Sequence, residues 1–295
     1  MRFFPLILTA FLMTPGILFA QNATGWQVEL DRLAFNFTST QVNYAKEYQD
    51  FSDARLTADS QTAISGELHA LGNYYFNNWL WSNALELNYG KTRIRPVEGE
   101  TLTNENADKI AFTTGYTQRL WRVDSVLGGF EAGPFANIGY ETEFTRLDNA
   151  PRYRVYRGML GVKIFDGDYI KDFYVAAVGE ADHTYDPSSE KLAWEAALKL
   201  QAPLREGVLA KFSAVWRDYL HESHARNTDL DYELELDARL EVQLYDNLSI
   251  APFINFYTAQ GKYIAPRGQN VYIGVALSFS HIFVKPQGGE PDISL

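Results

Sequence analysis

The 295-residue sequence has no cysteine, only 3 methionines and, after its first twenty residues, no long apolar run. The lack of cysteine excludes a disulfide-stapled scaffold, a thiol-ligated metal site and a lipid anchor attached through a lipobox. A membrane helix needs about 20 consecutive apolar residues, and none is available past the N-terminus. Basic residues are also scarce, 26 against 37 acidic ones, and the net charge of −11 argues against nucleic-acid binding.

The N-terminal segment, residues 1–20, has the pattern of a signal peptide. Arg2 supplies a positive charge, the stretch from Phe3 to Phe19 is almost wholly apolar, and Leu18-Phe19-Ala20 before Gln21 fits a cleavage site. Because 17 apolar residues interrupted by proline are short for a membrane helix, we expect a cleaved signal and not an anchor.

Aromatic residues are plentiful, at 15%, and the apolar positions alternate with polar ones. From Tyr232 to Leu244 every even position is apolar and every odd position is polar, which is typical of a strand with one face in hydrocarbon and the other in water. Similar alternation predicts twelve strands, at 28–42, 62–76, 80–91, 109–119, 126–144, 153–165, 169–183, 191–202, 207–220, 231–245, 248–259 and 270–283.

The connections between these strands alternate between short turns and long polar loops. Short turns are predicted at 77–78, 120–125, 166–168, 203–206 and 246–247, with longer polar segments between them. Aromatic residues cluster beside the short turns, where a lipid–water girdle would lie: Trp79, Trp81, Trp121, Phe165, Tyr169 and Tyr245. A soluble barrel would also alternate, but it leaves these aromatic bands unexplained.

The final strand carries the most specific motif, Tyr272-x-Gly274-x-x-Leu277-x-Phe279. It resembles the C-terminal assembly signal of Gram-negative outer-membrane β-barrel proteins, and the whole mature chain is similar to that class. The resemblance implies an all-β fold, a transmembrane antiparallel up-and-down barrel of about 12 strands over residues 21–283, with a periplasmic tail at 284–295. It also implies location in the bacterial outer membrane, with membrane lipid and the barrel-assembly machinery as partners.

With apolar residues outward, charged residues of both signs have the parity of the lumen. We predict as lumen-lining Glu195, Lys199, Lys211, Arg217, Glu233, Glu235, Asp237, Arg239 and Glu241. These charges indicate a channel or porin for small polar or charged solutes. The alternative is a non-conducting structural barrel whose acids and bases pair and fill the lumen, because the width of a twelve-stranded barrel does not decide between the two. No cofactor motif is present.

One cluster suggests chemistry: His221, Ser223 and His224, followed by Asp229 and Asp231. The His-x-Ser spacing resembles that of outer-membrane phospholipase A, which would make the protein a surface-exposed hydrolase. However, the Asn-Gly that follows the serine in the phospholipase is replaced by His224-Ala225. The two histidines with a carboxylate could instead ligate zinc. We interpret the cluster as a solvated polar loop and predict neither a catalytic nor a metal site.

Overall fold

The computed structural model describes residues 24–44, 46–48, 56, 60–95, 102–124, 126–144, 152–184 and 186–287. The predicted signal segment and residues 288–295 of the predicted tail lie outside them. The described residues form thirteen strands: β1 Gly25–Asn43, β2 Ser60–Phe76, β3 Trp79–Arg95, β4 Leu102–Gln118, β5 Trp121–Val123, β6 Phe130–Thr142, β7 Arg154–Phe165, β8 Ile170–Asp182, β9 Ser189–Arg205, β10 Val208–Glu222, β11 Leu230–Tyr245, β12 Leu248–Gly261 and β13 Gly268–Val284. None of the described residues belongs to a helix long and apolar enough to cross a membrane.

Twelve of the strands close into a barrel, which confirms the predicted fold. Consecutive barrel strands pair in antiparallel fashion, with β4 paired to β6, and β13 pairs with β1 to complete the ring. The three-residue strand β5 pairs only with β6, at the rim. Every barrel strand therefore has two neighbours, as a bilayer requires of backbone groups that water cannot reach.

The barrel wall is apolar outside and polar inside. On β1, Phe35 and Phe37 are more than half exposed, whereas Asn36 between them is buried. On β7, Leu160 and Val162 are at least 60% exposed, and Lys163 points to the other face. This polarity is the reverse of a soluble barrel and identifies the fold as a transmembrane β-barrel.

Several strand boundaries differ from the prediction. β3 runs on to Arg95 and β4 begins at Leu102, inside the segment 92–108 that we predicted as loop. The predicted strand 126–144 covers only β6 together with the turn before it, and the predicted turn 120–125 contains β5. Backbone pairing continues beyond the part of the strand that contacts lipid. There both faces of the strand contact water, so the side chains need not alternate between apolar and polar. The hydropathy pattern therefore misplaces the strand ends.

One of the aromatic residues beside the short turns does not occupy its predicted place in the lipid–water girdle. Trp79, Trp121, Tyr169 and Tyr245 are exposed, as a girdle requires. Phe165 is not part of it: the side chain is 3% exposed and packs inside the barrel in a cluster with Tyr75 and Leu80. The reason is parity, because Phe165 lies two residues after the inward-facing Lys163.

At the opposite, long-loop end, two described residues from the segment between β1 and β2 lie in the mouth of the barrel. Tyr48 and Leu56 are fully buried against Tyr257 and Ala259 of β12. The Tyr48 hydroxyl donates to the carbonyl of Pro266 at 2.8 Å and accepts from the amide of Gly261 at 3.0 Å. This small apolar core narrows the mouth and was not apparent in the alternation pattern.

A first prediction tests the polarity of the wall. Leu160→Arg places a charge at mid-strand in hydrocarbon, and we expect it to lower the free energy of unfolding by about 2–4 kcal/mol. Ser213→Arg is the matched control, since Ser213 has inward parity and lies opposite Asp237 in register. Denaturant unfolding in lipid vesicles measures both, and equal losses would mean that the two faces are assigned the wrong way round.

Candidate functional site: the charged lumen

A β-bulge on β1 turns two consecutive charged residues into the lumen. Leu30 pairs with Ala70 and Arg32 with His69, so that Asp31 is the extra residue of the strand. Asp31 Oδ2 lies 2.8 Å from His69 Nδ1, and Arg32 Nη1 donates to Glu67 at 3.1 Å. Two adjacent side chains thus share one side of the wall, as bulges allow.

Sequence reasoning missed this bulge, although the sequence contains a signal for it. The outward apolar residues on β1 are at even positions up to Leu30 and at odd positions from Leu33 onward. A change of parity within one strand predicts an inserted residue between the two runs.

Arg217 is at the centre of the largest lumen cluster. Its Nε donates to Glu195 at 2.7 Å and its Nη1 to Glu233 at 3.0 Å, so β10 is bridged to β9 and β11. Tyr174 donates to Glu195, and Tyr219 and Tyr257 both donate to Glu233. Glu195 is 3% exposed, and the side chains of Arg217 and Glu233 are 15% and 18% exposed. The cluster is a largely dry network in which each carboxylate has several donors.

The remaining predicted lumen residues divide into paired and open ones. Lys211 pairs with Glu241 at 2.9 Å, and Glu235 accepts from Asn255 at 2.8 Å. Asp237 and Arg239 are 3.9 Å apart. Lys199, which lies opposite Asp172 on β8, is exposed. The structure therefore brings Glu195, Arg217 and Glu233 together and leaves Lys199 apart from them.

An accessible region lies along β3, β4 and β9. Lys109 donates to Glu86 at 3.0 Å, and both side chains stay more than a third exposed, at 37% and 39%. Glu86 has inward parity near the middle of β3, between Leu85 and Leu87 of the outer face. Lys199 on the far side is close enough to Glu86 to interact electrostatically. Charged groups near the middle of the barrel are therefore accessible to water.

At the short-turn end, buried side chains fill the lumen beside β2 to β7. Arg119 forms a buried bidentate pair with Glu131, and its guanidinium lies 5.4 Å from the centre of the Tyr75 ring. The Tyr75 hydroxyl donates to Asp166 in the turn after β7.

The residues of the closing-strand motif lie on both sides of the barrel wall. Leu277 and Phe279 point outward and are exposed, whereas Tyr272 and Gly274 have inward parity. A Cβ at Gly274 would lie 2.6 Å from the ring of Phe253 on β12. Glycine at this position therefore lets an aromatic ring lie against the backbone, a packing role beside the predicted assembly role.

The His221 cluster does not assemble into a triad within the described residues. Ser223 Oγ lies 3.3 Å from Nδ1 of His224 and accepts from the amide of Glu190, while no hydrogen bond joins it to His221. Asp229 is instead bound to the amide of Arg226 and to Lys191. No group of three or more metal-ligating side chains is found in the described parts of the chain.

Comparison with known proteins is informative about fold alone. No family model and no curated protein matches the sequence. Among solved structures, the chain is similar to an outer membrane channel from Pseudomonas putida F1, with 10% identity, TM-score 0.49, and coverage of 90% of this chain and 100% of that one. It is also similar to an anion-selective porin from Comamonas acidovorans (10%, TM-score 0.37, 87% and 100% covered) and to outer membrane phospholipase A from Escherichia coli (11%, TM-score 0.41, 84% and 90% covered).

A second prediction separates the dry cluster from the accessible pair. Arg217→Gln leaves the buried Glu195 and the partly buried Glu233 without this cation, and we expect a loss of about 3–5 kcal/mol in the free energy of unfolding. Lys109→Gln removes the same charge from a well-hydrated pair and should cost about 0–1 kcal/mol. Denaturant unfolding of both variants under identical conditions measures the difference, and similar losses would refute the distinction between dry and wet regions.

Proposed function

We propose that the protein is an outer-membrane channel for small polar or charged solutes. The observation that carries this proposal is the exposure of Glu86 and Lys109, which point inward near the middle of the barrel yet remain more than a third accessible. In a lumen sealed by salt bridges such a pair would be buried as Glu195 is. Charges cost little only where water surrounds them, so the exposed pair favours a hydrated path along β3, β4 and β9.

The charge inventory also supports a preference for cations. Among the described inward-facing strand residues, acids outnumber bases. The acids are Glu29, Asp31, Glu67, Glu86, Glu131, Glu141, Asp172, Glu180, Asp182, Glu195, Glu222, Glu233, Glu235, Asp237 and Glu241; the bases are Arg32, Lys109, Arg157, Lys163, Lys191, Lys199, Lys211, Arg217 and Arg239. A net negative lumen attracts cations and repels free anions.

The third prediction is single-channel conductance in planar bilayers, with a reversal potential that indicates cation preference. Glu86→Gln should shift the reversal potential toward anions, and the shift should shrink as salt screens the charges. Glu190→Gln is the matched control, because Glu190 is exposed on the outer face at the long-loop end of β9. Correctly folded protein without conductance steps would refute the channel and favour the non-conducting barrel.

We further propose that the closing strand is the signal read by the barrel-assembly machinery. Replacing both Leu277 and Phe279 by Ala removes two outward side chains of β13, and we expect less barrel in the outer membrane of expressing cells. Heat-modifiable migration of outer-membrane fractions measures the folded amount. Ile273→Ala with Val275→Ala shortens outward side chains of the same strand outside the Leu-x-Phe pair, and an equal loss in this control would show that general hydrophobicity, and not the motif, sets assembly.

A further inference from the structure

Arg239 on β11 is a buried arginine whose guanidinium is poorly supplied with acceptors. The residue is 8% exposed, and its Nε and Nη1 have no hydrogen-bond partner among the described residues. The nearest carboxylate oxygen of an ion pair, Asp237 Oδ1, is 3.9 Å from Nε, beyond hydrogen-bond distance. Two other lumen arginines do have carboxylate acceptors: Arg157 donates to Glu180 at 2.8 Å, and Arg217 donates to Glu195 and Glu233.

An aromatic ring on the neighbouring strand β12 fixes the position of this guanidinium. Its central carbon lies 4.8 Å from the centre of the Phe253 ring, within range of a cation–π contact. Phe253 is paired in register with Gly274, where a Cβ would collide with the ring. Glycine therefore leaves room for the Phe253 ring, and the guanidinium lies over this ring with its Nε and Nη1 uncommitted.

The neighbouring charges are engaged elsewhere, with one exception. Arg239 interacts electrostatically with Arg32, Asp237, Glu67 and Glu241. Glu67 already accepts from Arg32 and Glu241 from Lys211. Asp237 has only the long contact to Arg239 among the ion pairs of the described residues. A cationic donor and an anionic acceptor, both incompletely satisfied, thus lie side by side.

We infer that Arg239 and Asp237 form a binding site for small zwitterions that carry both a carboxylate and an ammonium group. This inference rests on the proposed channel function and names its solute class. The carboxylate accepts from the guanidinium, and the ammonium donates to Asp237. A free anion would meet repulsion from the acidic lumen, whereas a zwitterion enters without a net charge and satisfies both partners.

The test uses glycine and its two halves, acetate and methylammonium, at constant ionic strength. In planar bilayers glycine should reduce the single-channel potassium current in a saturable manner, and each half should require at least tenfold higher concentration. Equal potency of glycine and either half would overturn the proposed site. Broadening of the NMR lines of labelled glycine by refolded protein in detergent gives a binding readout that does not depend on conduction.

Arg239→Gln should weaken the glycine effect at least tenfold in both readouts. Arg239→Lys keeps the charge but loses the planar fork, and it should also weaken glycine binding while ion selectivity stays unchanged. Arg157→Gln is the matched control, since that arginine already donates to Glu180, and it should retain glycine binding. Heat-modifiable migration verifies folding of each variant.

The outcomes separate this inference from the channel proposal. Conductance without a glycine-specific effect, or a glycine effect that survives in Arg239→Gln, overturns the zwitterion site and leaves the channel standing. Glycine binding that is lost in Arg239→Gln, in a barrel without conductance, supports the site and overturns the channel. Arg239→Lys behaving as wild type would reduce the site to a general electrostatic effect and also refute it.

Discussion

Closure of the hydrogen-bonded ring is the constraint on which the rest of this structure depends. The pairing of β1 with β13 leaves no barrel strand with an unpaired edge, which in hydrocarbon would cost several kcal/mol for each free backbone group. Once closed, a strand has only two places for a side chain, lipid or lumen. Because Leu, Val and aromatic residues take the lipid face, most charged side chains of the described strands must share the narrow interior.

The high density of charged side chains then determines how the lumen is packed. Buried carboxylates are tolerable only with donors, and the structure supplies them through tyrosines and arginines from neighbouring strands, as Glu233 shows with Arg217, Tyr219 and Tyr257. The network fixes one part of the wall rigidly. The pair of Glu86 and Lys109 lies apart from it and stays hydrated, so one barrel contains both a sealed and an accessible region.

A glycine and a β-bulge in the barrel wall position side chains in the lumen. Gly274 belongs to a motif predicted to direct assembly, but its missing side chain also seats Phe253 and, through it, Arg239. The bulge at Asp31 brings Arg32 toward Glu67 and into electrostatic range of residues on β11. Both devices act on the same region of the lumen, where the proposed zwitterion site lies.

The sequence alone determined the fold class, the twelve barrel strands and the parity of Glu195, Arg217 and Glu233, because a period of two is a local property of the chain. It could not determine which charges meet, since Arg217 finds Glu195 and Glu233 through strand register. Nor could it show that Arg239 lacks acceptors. Those facts depend on bulges, on the curvature of the wall and on contacts between residues far apart in sequence, and only the closed barrel decides them.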